Sequence, residues 1–104
     1  MKQKKDMGLM YSFTESAKKD MALILDYTFI NFGVKAMINY HKSLENCFES
    51  LDSNPNLGMK VEYIHKSYYC FYHRSHSVFY QLSDKGINII RVLHQSIDVS
   101  KHFD

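Results

Sequence analysis

The apolar residues of this chain change their spacing once, and that change limits the fold more than any other feature. Up to about residue 51 they recur every three or four positions, as one face of a helix requires. From Ser67 onward they recur every two, as strands require. Between the two regimes lies Asn54-Pro55-Asn56-Leu57-Gly58, a turn segment that holds the only proline of the 104 residues. Neither half can bury its apolar face alone, so residues 1–104 are expected to form one domain, with 1–7 frayed. The expected class is α+β: a short strand and a helical hairpin packed on an antiparallel meander.

Residues 9–13, Leu-Met-Tyr-Ser-Phe, suit a short first strand. Thr14 is placed to cap the helix that follows, because its hydroxyl can accept an orphan N–H of the first turn. Glu15 favours the positive end of that helix. Ala17, Met21, Ile24, Leu25 and Thr28 share one face of a helix over 15–32. Gly33 then suits the left-handed stop position. A second helix is predicted over 34–51, with Ala36, Met37, Tyr40, Leu44, Cys47, Phe48 and Leu51 as its stripe. So short a link makes the two helices antiparallel neighbours.

The second half reads as strands at 67–72, 77–82 and 87–94, joined by turns at 73–76 and 83–86. Short turns make consecutive strands antiparallel. The strands are apolar on both faces. Tyr68, Cys70 and Tyr72 oppose Tyr69 and Phe71, and simple alternation sets Ile89 and Leu93 against Ile90 and Val92. A helical hairpin covers one face only. The other must curl on itself or be covered by a partner chain.

Charge and cysteine usage exclude several classes. The net charge is +2, with six Lys/Arg against four Asp/Glu after Gly58 and seven against seven before it. Five of the six histidines also fall after Gly58. That is a mildly basic meander, without the strong excess of a nucleic-acid binder. Cys47 and Cys70 lack metal-ligand spacing and are expected to be buried, reduced thiols, with no disulfide implied. The basic start has no apolar run behind it and no stretch reaches membrane-spanning length, so a soluble cytoplasmic chain is expected. No phosphate loop, metal set or nucleophile triad is present, and no cofactor is implied.

Four ordered segments carry a resemblance. They are Tyr11-Ser12-Phe13-Thr14 with Ala17 and Asp20; Gly33-Val34-Lys35-Ala36 with Tyr40 and Leu44; Asn54 to Gly58; and Ser75-His76-Ser77-Val78-Phe79-Tyr80 followed by Ile87 to His94, Ile97 and Asp98. Over residues 8 to 103 the chain resembles the RelE/ParE superfamily of type II toxins, the ParE branch above all. Its run from Arg91 to Asp98 looks like the C-terminal ParE motif. It departs at Lys66-Ser67-Tyr68-Tyr69, where the family often carries Gly-Tyr-Arg.

The resemblance implies a toxin that inhibits DNA gyrase by binding, with no catalytic residue. It also implies a ParD-like antitoxin that wraps the toxin along its helices and sheet. Lys66, Arg74, His76, Arg91, His94, Asp98 and Lys101 are the candidate surface for target or antitoxin. No membrane and no sequence-specific nucleic acid is implied. The alternative is a RelE-like ribosome-dependent mRNA endonuclease. It would use Lys66 or His65 as base, Arg74 or Arg91 for phosphate charge, and His76 or His94 as acid. A third reading, motivated by the missing arginine, is a binding module without toxicity.

Plainer roles stand beside these. Arg91 in an apolar strand needs a carboxylate or solvent, and Asp98 is the nearest acid in sequence. His76, beside the Arg74 turn, is expected to be exposed. His94 is expected to be a strand-end residue bonded to backbone or water.

Overall fold

The computed structural model describes residues 11–103. The expected fraying of 1–7 and residues 9 and 10 of the first strand lie outside that range. Elements run in the order β1 (Ser12–Phe13), α1 (Glu15–Phe32), α2 (Val34–Ser53), β2 (Met59–Lys60), β3 (Tyr68–His73), β4 (His76–Ser83) and β5 (Gly86–His94). Short 3-10 turns occupy Pro55–Leu57 and Val99–His102. The class is α+β, with two helices on a mixed five-stranded sheet of order β1-β5-β4-β3-β2.

α1 begins and ends where its caps dictate. The Thr14 hydroxyl accepts the Ala17 N–H at 3.0 Å, and Gly33, at φ 95°, donates its N–H to the Phe29 carbonyl at 2.9 Å. α2 continues to Ser53, two residues past the sequence expectation. The first core joins both helices to one sheet face. Ala17, Ile24, Leu44, Cys47, Phe48 and Leu51 meet Val78, Tyr80, Ile87, Ile89 and Val92 there.

The turn segment is fastened to that core through Tyr80. Its hydroxyl donates to the Pro55 carbonyl at 2.6 Å and accepts the Gly58 N–H at 2.9 Å. A Cβ at Gly58 would stand 2.5 Å from the same hydroxyl, so glycine is there for close approach.

Two features of the sheet lie beyond the sequence reading. β2 adds an antiparallel strand of only two residues, paired with Tyr69 and Cys70. β1 is parallel to β5. One difference is a shift of register. Phe79 pairs with Arg91 and Tyr80 with Ile89, which leaves Ile90 as an extra residue in β5. This β-bulge breaks the alternation, so Ile89 and Val92 share the helix face while Ile90 and Leu93 share the other. The sequence grouping of Leu93 with Ile89 is corrected accordingly.

The second face is covered by the chain itself. Val61, Cys70, Phe79 and Leu93 form a second core under Ile64 of the β2–β3 loop and Ile97, Val99 and Phe103 of the tail. Phe103 packs edge-on against Phe79 and Tyr68, with ring centroids 4.9 and 5.8 Å apart. A bare apolar surface lies elsewhere, at the tip of the helical hairpin.

Candidate functional site

Helix α1 is apolar almost all round in its second half, through Leu23-Ile24-Leu25 and Tyr27-Thr28-Phe29-Ile30. Only one side of it can reach the sheet. Leu23, Ile30 and Phe32 are therefore 67, 76 and 69% exposed, and Tyr27, Phe29, Val34 and Ile38 are exposed beside them. Here the chain carries a groove of about 480 Å³. Leu23, Ile24, Tyr27 and Phe32 of α1 form one wall, Ala36 and Tyr40 of α2 the other, and Ser75, His76 and His94 its end. Sequence reasoning missed this surface, although the near-continuous apolar run in α1 was its signal.

At the closed end the side chains are polar and mutually bonded. The Tyr40 hydroxyl and His76 Nδ1 share a hydrogen bond of 2.7 Å, and the His76 and His94 rings meet edge to face at 5.4 Å. His76 is 9% exposed, which corrects the expectation of an exposed ring. It is held there because β4 starts at His76 and turns its side chain under α2. Burial, then the nearby His94 and His73, push its pKa down to about 4. The ring is neutral at pH 7. His94 is exposed and shares a 2.8 Å bond with the Ser96 hydroxyl. His73 bonds Ser43 of α2 at 2.7 Å, and its pKa is lowered by burial and then by Arg74. Arg74 is exposed in the β3–β4 turn at φ 54°.

Arg91 does not pair with Asp98. Its Nε and Nη2 donate to the two carboxylate oxygens of Asp20 in α1, at 2.7 and 2.8 Å. Asp20 also accepts the Val92 N–H at 3.0 Å. β1 reaches no further along β5 than Ile89, so that N–H has no strand partner and the carboxylate supplies one. The ion pair raises the Arg91 pKa. Nη1 donates to the His102 carbonyl at 3.3 Å and so ties down the tail. Asp98 instead caps the last 3-10 turn, accepting from the Ser100 N–H and hydroxyl.

Of the seven candidate surface residues, only His76 and His94 are brought together at the groove, with Arg74 one residue from its lining Ser75. Lys66 is exposed in the β2–β3 loop and Lys101 in the tail. Arg91 and Asp98 are engaged in holding the fold. Cys47 and Cys70 are buried free thiols in separate cores, each with a pKa raised to about 11 by burial. Among the described residues no group of three or more His, Cys, Asp or Glu could hold a metal ion. No helix among them is long and apolar enough to cross a membrane.

Comparison with known proteins agrees with this architecture. Residues 11–99 match the family model of the ParE toxin of type II toxin–antitoxin systems, parDE. Toxin ParE1 of Mycobacterium tuberculosis is 29% identical over 97 residues, covering 92% of this chain and 99% of that protein. Toxin ParE1 of Caulobacter vibrioides is 32% identical over 92 residues, covering 88 and 95%. Among solved structures, a chain of the chromosomal ParDE system of P. aeruginosa superposes with a TM-score of 0.69 at 17% identity, covering 83 and 95%. A YoeB dimer from Staphylococcus aureus gives 0.59 at 22% identity, covering 84 and 97%.

Proposed function

Since the chain belongs to the ParE family of type II toxin–antitoxin toxins, we propose that it inhibits DNA gyrase by binding and that a ParD-like antitoxin neutralises it in the hairpin groove. The observation that carries the antitoxin half is the bare apolar tip. Leu23, Tyr27 and Phe32 stand exposed beside a groove that ends in hydrogen-bonding groups. That surface suits an amphipathic segment laying its apolar face into the groove. The same segment hides the exposed apolar residues of the hairpin tip. Gyrase as target places the toxin's action in the cytoplasm.

Two of the residues named for RNA cleavage are committed to the fold, whereas His94 and Arg74 stay exposed. A general acid must hold a proton near neutrality, and His76 is neutral and committed to Tyr40. Arg91, the strand cation suited to phosphate charge, is neutralised by Asp20. Purified protein is expected to block gyrase supercoiling. Unimpaired supercoiling at saturating toxin would overturn the target. New mRNA ends on translating ribosomes would revive the endonuclease reading.

A further inference from the structure

A second groove runs along the other flank of α2, and its chemistry is opposite. It holds about 550 Å³ between α2 and the helix-facing side of β3. Two bonds from helix to strand, Tyr40–His76 and Ser43–His73, form the wall between the two grooves. Asn39, Lys42, Asn46 and Ser50 present amides, an ammonium and a hydroxyl from one face of α2, at helical spacing. His73 and Arg74 close the far side. No carboxylate lines the groove. The acids of α2, Glu45, Glu49 and Asp52, lie on a different side of the helix, toward Tyr11.

The rim of this groove is an open sheet edge. β2 pairs only with Tyr69 and Cys70. The Val61 N–H bonds the Tyr68 carbonyl at 3.0 Å, so Tyr68, and with it Cys70 and Tyr72, direct their main-chain groups toward the β2 side. Tyr72 comes after the end of that pairing, and its N–H and C=O face outward with no strand opposite among the described residues.

We propose that this groove binds a short, extended, acidic segment of a partner protein, which adds to the β3 edge at Tyr72 and lies along the Asn39–Asn46–Ser50 face. The edge supplies main-chain pairing, as in strand addition generally. The two asparagines offer both donor and acceptor to the remaining peptide groups. Lys42 and Arg74 select for carboxylates. Nucleic acid fits less well: two cations neutralise few phosphates, and an open strand edge recognises a peptide main chain. The inference does not depend on gyrase being the target.

The test uses the full chain, isotope-labelled, titrated with two blocked hexapeptides: one alternating glutamate and threonine, the other lysine and threonine. The acidic peptide is expected to give saturable shifts at the Asn39 and Asn46 side-chain amides and at the Tyr72 and Arg74 backbone amides. The basic peptide is expected to give none. Lys42→Glu with Arg74→Glu, both at the surface, should weaken the acidic peptide at least tenfold while the dispersed spectrum is kept. Asn46→Leu should weaken it without a change of charge. The proposal is overturned by equal responses to both peptides, by shifts confined to the hairpin groove, by no response, or by displacement of the peptide by oligothymidylate.

Discussion

The base and the tip of the helical hairpin use the same kinds of residue to opposite ends. At the base, Ala17, Leu44, Phe48 and Leu51 are sealed against β4 and β5. At the tip, Leu23, Ile30, Phe32 and Val34 stand in solvent. The difference is one of reach. Helices of 18 and 20 residues outrun the sheet beneath them, and what overhangs has nothing of its own to pack on. Apolar content therefore marks two roles here. The base holds the fold together, and the tip is the surface proposed for the antitoxin.

Substitutions should separate the two ends. Phe48→Ala at the base removes a ring packed on Phe13 and Tyr11 and is expected to cost about 3–5 kcal/mol in urea unfolding. Asp20→Ala, beside the base, strips both the Arg91 guanidinium and the Val92 N–H of their partner. A loss of about 3 kcal/mol is expected, and a loss below about 1 would mean that the pair is dispensable.

The boundary between base and tip should titrate. His76 takes a proton near pH 6.5 when unfolded but only at about pH 4 when folded, because burial, then His94 from β5 and His73 from β3, oppose its charge. Its contribution is complete above pH 6.5 and is lost as pH falls toward 4, a difference of about 3 kcal/mol. The pH profile of His76→Gln should be flatter across that window, and an unchanged profile would assign the acid sensitivity elsewhere.

Ile30→Ser at the tip is expected to move stability by no more than about 0.5 kcal/mol. Leu23→Ser, at an exposed residue that lines the groove, should weaken a ParD-like antitoxin at least tenfold. Ile30→Ser that destabilises as Phe48→Ala does would erase the distinction between the two ends.

Much of this plan is legible in the sequence because local chemistry sets it. Thr14 and Gly33 fix both ends of α1, and the change of apolar period locates the sheet. What escapes is non-local. β2 is two exposed residues with no pattern to find. Arg91 has an acid seven residues away in Asp98, yet it pairs with Asp20, 71 residues away, because the edge of β5 past β1 lies against α1. His76 reads as a turn residue until α2 is laid over it. The second sheet face reads as bare in the sequence, and Ile97, Val99 and Phe103 fold back onto it.

The extra residue at Ile90 gives β5 two phases. Counting every second residue from Ile87 reaches Ile89 correctly and then arrives at Arg91 and Leu93, which belong to the opposite face. Any scheme that infers exposure from odd and even positions, or that slides a relative without the extra residue along this strand, will be half a period out over its last four residues. A cysteine scan from Gly86 to His94, read by thiol labelling, should show that slip of phase at Ile90. It would locate the joint between the half of β5 that pairs with β1 and the half whose edge lies against α1.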